Sequence, residues 1–283
     1  MKVFRTADEM RAWSRTQRAA GKSIGFVPTM GALHEGHASL MRAAAERDDV
    51  SVLSIFVNPT QFAPNEDLDR YPRTWDADCA LAEEVGMDAI YAPTASGMYA
   101  EDYSTFVEVG GVSEGLCSKT RPHFFRGVAT VVTKLFLAIE PDRAYFGLKD
   151  AQQCAVIQRM VRDLDMGIEI VPMPLIREAD GLALSSRNKY LSPEERTRAL
   201  CISRSLLRAQ ATLQAGERDA VTIVDSVRQG MAETDIDYVA LVDASSMQPV
   251  ARVEGPVFVA VAAKVGETRL IDNIRFDPAE EGA

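Results

Sequence analysis

What most constrains this chain is the alternation of short apolar runs with helix-patterned stretches through its first 171 residues. Ile24-Gly25-Phe26-Val27 and Val50 to Val57 are brief and almost continuously apolar, as strands buried on both faces must be. Between them, from His37 to Arg47, Ala38, Leu40, Met41, Ala44 and Ala45 recur at helical spacing. Trp75 to Val85 is a second predicted helix, with Gly86 placed to cap its C-terminus. Ala89-Ile90-Tyr91 and Phe106-Val107-Glu108-Val109 read as strands, and Gly127 to Ile139 as a helix. Ala144-Tyr145-Phe146, Ala151 to Leu164 and Ile168 to Val171 continue the series as strand, helix and strand. Such alternation predicts an α/β fold with a parallel sheet.

Pro172-Met173-Pro174 interrupts the pattern and marks an expected domain edge, giving domains at 1–175 and 176–283. Beyond it, Ser192-Pro193-Glu194-Glu195 combines a Ser N-cap, Pro at the first helical position and Glu at the third, a strong helix start. That helix runs towards Ala215-Gly216, and another follows from Ala220 to Met231. Strands are expected at Tyr238 to Val242, Val257 to Ala262 and Thr268 to Ile274, so the C-terminal part reads as a smaller α+β domain.

Composition narrows the function. Lys and Arg number 31 against 41 Asp and Glu, a net charge of −10 that repels polyphosphate backbones and argues against a non-specific nucleic-acid binder. No window reaches the roughly 18 uninterrupted apolar residues of a membrane span. Met1-Lys2-Val3-Phe4-Arg5 lacks the apolar core of a secretory signal, so a cytoplasmic protein with no membrane partner is expected. Cys79, Cys117, Cys154 and Cys201 lie far apart with no C-x-x-C pair, which predicts four free thiols rather than a metal site or a disulfide framework.

Four segments carry chemistry. Pro28 to His37 (PTMGALHEGH) joins the first buried strand to the following helix. In open α/β sheets that junction binds ligands, and amides at the helix start favour phosphate. Gly31-x4-Gly36 has the glycine spacing of a P-loop, yet His37 and Ala38 stand where its Lys and hydroxyl belong, and no G-x-G-x-x-G occurs. What remains is His34 and His37 at a helix start, either donors to phosphate oxygens, a capping pair or half of a metal site. Phe56 to Phe62 (FVNPTQF) ends the second strand, where Gln61 offers an amide donor and acceptor, or is a solvated loop residue. Phe146 to Gln153 (FGLKDAQQ) makes a strand-to-helix turn in which Lys149 is a point charge for phosphate, or half of a surface Lys–Asp pair. Ser185-Ser186-Arg187-Asn188 joins two hydroxyls to a guanidinium, suited to a triphosphate or to a polar connector.

Together these strings, with Tyr71-Pro72-Arg73-Thr74, resemble the pantothenate synthetase (pantoate–β-alanine ligase) family, from about Phe26 through Ser192 and more loosely beyond. His34-x-Gly36-His37 alone would indicate only the wider superfamily of nucleotidyl transferases and class I aminoacyl-tRNA synthetases. The resemblance implies a Rossmann-like N-terminal domain with a C-terminal lid, and a homodimer. It also implies a two-step reaction: ATP and pantoate give pantoyl adenylate and pyrophosphate, and β-alanine then displaces AMP to give pantothenate. By the same resemblance, Met30, Gly31, Ala32, Leu33, His34, Glu35, Gly36 and His37 would embrace ATP, with His37 as the catalytic donor and His34 on the phosphates. Gly147, Leu148, Lys149 and Asp150 would also hold the nucleotide, as would Ile176, Leu184, Ser185, Ser186 and Arg187. Gln61 and Gln153 would hold pantoate, with Gln61 also at the β-alanine site. Lys149 and Arg187 would neutralise phosphate charge, and Mg²⁺ would ride mainly on the phosphates, with Asp78 at most an indirect contributor.

Three positions depart from the family pattern. Leu148 stands where Glu is usual, Leu184 where Met is usual, and Phe124 where a His is expected, with His123 one place early. Two other functions remain at this level: a nucleotidyl transferase that keeps the nucleotide on its product, and a non-catalytic nucleotide-binding regulator. The uncharged Gln61 and Gln153 weigh against the first, and the set His34, His37, Lys149 and Arg187 against the second.

Overall fold

The computed structural model describes residues 1–64 and 66–280. Contacts group them into two compact units. One comprises Met1–Val109, Arg121–Leu148 and Val156–Pro174; the other takes Gly110–Thr120, Lys149–Ala155 and the chain from Leu175 onward.

The first unit holds β1 (Lys2–Phe4), α1 (Ala7–Ala19), β2 (Ile24–Thr29), α2 (Glu35–Arg47), β3 (Val50–Ile55) and α3 (Trp75–Val85). It continues with β4 (Ala89–Tyr91), α4 (Ala95–Met98), α5 (Phe124–Ile139), β5 (Arg143–Gly147), α6 (Ala151–Asp163) and β6 (Glu169–Met173), α6 having its first residues grouped with the second unit. All six strands are parallel, in the order β1-β4-β3-β2-β5-β6. The chain works outward from β2 through β3 to β4, then returns to place β5 on the other side of β2. That reversal makes the C-terminal ends of β2 and β5 the switch point where open α/β sheets bind ligands.

The helix predicted at 75–85 has those bounds, and Gly86 closes it in the left-handed region at φ 89°. β6 runs on through Pro172 to Met173; it is an edge strand, where a proline costs no ladder bond on its open side. Phe106 to Val109, expected as a strand, joins neither sheet; Val107 instead donates its amide to Thr130 Oγ1 on α5, at 2.9 Å. Three elements went unanticipated: β1, α1 and the four-residue α4. β1 is three residues long, and α1 starts at a capping box in which Thr6 and Glu9 satisfy each other's backbone amides.

α2 packs Ala38, Leu40, Met41 and Ala44 onto Val27, Leu53 and Tyr145 of the sheet. At its end lies a buried polar knot: the Asp48 carboxylate accepts from Arg143 Nη1 and from the Tyr145 hydroxyl, each at 2.6 Å.

The second unit contains α7 (Pro193–Gln214), α8 (Ala220–Gly230) and an antiparallel sheet of β7 (Asp235–Asp243), β8 (Val257–Val265) and β9 (Thr268–Phe276). Ser192 and Glu195 form the predicted capping box, with Pro193 at the first helical position. Ile202, Leu206, Ile223, Val227, Val259 and Val261 bury its core. No helix among the described residues is long and apolar enough to cross a membrane.

Burial, then the hydrogen bond to Asp48, pushes the Tyr145 phenol well above its ordinary range. A group raised in the folded state stabilises it below the unfolded pKa, about 10 for Tyr, and loses that contribution as pH rises further. Tyr145→Phe is therefore expected to cost about 1 kcal/mol at neutral pH. Thermal melting of both proteins across the alkaline range should show the parent losing more stability than the variant; parallel curves would contradict it.

Candidate active site

The loop leaving β2 is held from beneath. Thr29 Oγ1 donates to Ser54 O at 2.7 Å and accepts from Gly31 N at 3.1 Å. Asp78, 2% exposed on α3, accepts from Ala32 N at 3.0 Å and Leu33 N at 2.8 Å, and from Thr74 Oγ1 at 3.0 Å. Gly31 sits at φ 80°, and a Cβ there would lie 2.9 Å from the Asp78 Oδ2, so only glycine fits. One buried carboxylate thus neutralises the bare amides of a tight turn.

His34 is the N-cap of α2, its Nδ1 accepting from Gly36 N at 3.2 Å. An accepting Nδ1 carries a lone pair, so the neutral ring holds its proton on Nε2 as a donor. His37 stacks on it with ring centroids 4.1 Å apart. Both rings are half-buried. The Glu35 carboxylate is tied to Arg42, whose hydrogen bond holds it below the usual carboxylate range. Most loop amides are thus satisfied within the protein. Both imidazoles and the backbone amide of Glu35, the first helical residue, stand at the start of α2, where a helix N-terminus favours phosphate.

Gln61 stands on a second support. Asn58, 1% exposed, donates to Gln61 Oε1 at 3.0 Å and Gly127 O at 3.2 Å, and accepts from the Tyr99 hydroxyl at 2.8 Å. Gly127 lets α5 close on the Pro59–Gln61 turn, since a Cβ there would meet Thr60 O at 2.5 Å. The Gln61 amide then reaches Met30 Sδ at 3.3 Å, joining two of the expected site residues. A cavity of about 330 Å³ lies beside Met30, lined by Ile55, Phe56, Arg73, Trp75 and Pro93 among others. Phe124, the departure from the expected His, lies under the Arg121 guanidinium at 3.9 Å, and Arg121 also pairs with Glu66.

Leu148–Asp150 forms one 3₁₀ turn at the end of β5, with Lys149 Nζ 3.6 Å from Asp150 Oδ2. In the second unit, Gln153 is half-buried, whereas its neighbour Gln152 is buried and structural: it donates to Val112 O and Glu114 O at 3.2 Å and accepts from Cys117 N. Ile176 and Leu184 are joined across a short hairpin by Leu184 N to Ile176 O at 3.0 Å. Ser185 caps the following turn, accepting from Arg187 N at 3.3 Å. Asn188, inside that turn, donates to Glu178 Oε1 at 2.6 Å and Ala183 O at 3.0 Å. All four cysteines are free, and burial pushes the Cys154 thiol up to about 12.

The family model for pantoate–β-alanine ligase matches residues 2–275. The chain belongs to the pantoate–β-alanine ligase family. A pantothenate synthetase from Acetivibrio thermocellus is 52% identical over 97% of this chain and 99% of its own. The crystal structure of the pantothenate synthetase from Thermus thermophilus superposes with a TM-score of 0.91 at 41% identity, covering 97% of this chain and 99% of that one. A pantoate–β-alanine ligase from Francisella tularensis, solved in complex with β-γ ATP and β-alanine, gives 0.79 at 31% identity, with 97% of each chain covered.

For this ligase, sequence reading missed the supports: Asn58, Gln152 and above all Asp78, whose partners lie more than forty residues away. Asp78→Asn keeps the volume but turns an N–H towards Ala32 or Leu33. A buried amide left unmatched costs about 2 kcal/mol, or roughly thirty-fold in local opening. Hydrogen exchange at the Ala32 and Leu33 amides should accelerate by that order; unchanged protection would show that the loop holds itself.

Proposed function

We infer that this ligase condenses pantoate with β-alanine in an ATP-dependent reaction. A pantoate carboxylate oxygen attacks the α-phosphorus and pyrophosphate leaves. The β-alanine amine then attacks the acyl carbon, AMP leaves with the bonding pair, and the nitrogen sheds its proton. Family membership supports the overall reaction, and a relative's complex with ATP and β-alanine supports the ligands. The observation that carries the reading to this chain is the His34–His37 stack, whose turn also carries Met30 into contact with Gln61.

In this reading His34 and His37 donate to phosphate oxygens, with His37 as the catalytic donor, and Met30 to Gly36 embrace the nucleotide. Glu35 contributes through its amide, because its carboxylate is engaged by Arg42. Gln61 and Gln153 orient pantoate by its hydroxyls and carboxylate, and Gln61 also borders β-alanine. Gly147 to Asp150, Ile176 and Leu184 to Arg187 contact ATP, with Lys149 and Arg187 neutralising charge as it builds on the phosphates. Contact at Leu148 would be through backbone. No protein nucleophile is needed; the rate comes from position and charge. The mixed anhydride must be kept from water, the part assigned to the segment around Ser185–Arg187 as a lid. ATP enters as its magnesium complex. Both Asp78 oxygens are engaged by loop amides, so the ion is assigned to the phosphates.

Exchange of pyrophosphate into ATP tests this without β-alanine. Exchange that requires pantoate is expected; its absence while ATP still binds would favour a nucleotide-binding protein. Lys149→Ala and His37→Ala should each slow turnover by about 10²–10³ with little change in melting temperature. A large drop in melting temperature would instead assign those residues to the scaffold. A cytoplasmic homodimer completes the proposal: light scattering should give twice the 31.0 kDa chain mass, and a monomer would remove it.

A further inference from the structure

Two of the proposed nucleotide-binding segments of the second unit are fastened to consecutive residues of one strand. Asp272 and Asn273 lie in the middle of β9, paired with Val261 and Ala260 of β8. Neighbouring residues of a strand face opposite sides of the sheet. Asp272 shares the parity of Leu270, Ile274 and Phe276, which line the core under α7 and α8. Its carboxylate, 3% exposed, takes a bidentate pair from Arg177, Nη1 to Oδ2 at 2.7 Å and Nη2 to Oδ1 at 3.0 Å. Arg177 also donates to Gly181 O at 3.2 Å, so the pair grips the hairpin from Ile176 to Leu184 at both ends of its turn. That hairpin leads directly into Ser185–Arg187. From the opposite face, Asn273, 6% exposed, donates Nδ2 to the carbonyl oxygen of Lys149 at 3.0 Å.

We propose that Asp272 and Asn273 are positioning residues for adenylation, a two-sided clamp that fixes the Lys149 turn and the Ser185–Arg187 segment to one register of β9. Neither side chain is assigned a contact with ATP. A bidentate Arg–carboxylate pair is geometrically demanding, and a strand braced on both faces is rigid. The spacing of the two charge-bearing segments is therefore set by the rise between adjacent residues rather than by flexible loops. Charge stabilisation weakens steeply when donors are misplaced, so loosening either grip should fall on the step in which phosphate charge develops.

The proposal rests on Lys149 acting at the phosphates, and the test separates the two. In Asn273→Ala, kcat/KM for ATP in pantoate-dependent pyrophosphate exchange is expected to fall at least tenfold. Aminolysis of separately supplied pantoyl adenylate by β-alanine should stay within twofold of the parent. A role limited to stability would slow both half-reactions together and lower the melting temperature, which overturns the proposal, as does unaltered exchange. If Lys149→Ala itself leaves exchange intact, the assignment of Lys149 fails and the clamp with it. If Lys149→Ala abolishes exchange and Asn273→Ala does not alter it, only the clamp fails. Should the alanine variant not fold, Asn273→Ser, which keeps a shorter hydroxyl donor, is read by the same two assays.

Discussion

The parallel pairing of β2 with β5 is the constraint from which the rest of the first unit follows. Parallel strands place their C-terminal ends on one edge, and the reversal of strand order at this pair leaves an opening that no crossover helix covers. Thr29 ends one strand and Gly147 the other. The His34–His37 turn and the segment leading to Lys149 therefore depart from the same edge without any further device. The buried Asp48–Arg143–Tyr145 knot ties the N-terminal end of β5 to the end of α2, and so keeps that register where it is needed.

On this scaffold, charge is handled differently from a glycine-rich phosphate loop. There, bare amides face the ligand. Here Thr29, Asp78 and His34 take up the amides of Gly31, Ala32, Leu33 and Gly36. The turn is thus held by the protein's own side chains, and in the proposed reading recognition of phosphate falls to the two imidazoles.

The parallel sheet with its helices and the smaller antiparallel sheet were legible because each has a local cause, apolar continuity and capping chemistry. α3 was readable to its ends because Gly86 stops it. What escaped has causes elsewhere in the chain. β1 is too short to show a period and exists by pairing with β4. α1 shows few buried residues, Met10 and Ser14, although Thr6 and Glu9 spelled its cap. Phe106 to Val109 has strand chemistry but gains no strand partner within either sheet. The resemblance singles out Gln153 and is silent on Gln152, whose structural part depends on the distant backbone of Cys117 and Val112. Asp78 carries no local sign of its task, because the loop amides of Ala32 and Leu33 that it accepts from lie far back in the chain.

The edges of the parallel sheet carry a consequence of their own. At one margin β1 offers three residues; at the other β6 carries Pro172, whose ring removes a donor from the open rim. An open row of donors and acceptors is a template on which another chain can lay down its own strand. With one margin clipped and the other interrupted, this sheet is a poor seed for cross-chain growth.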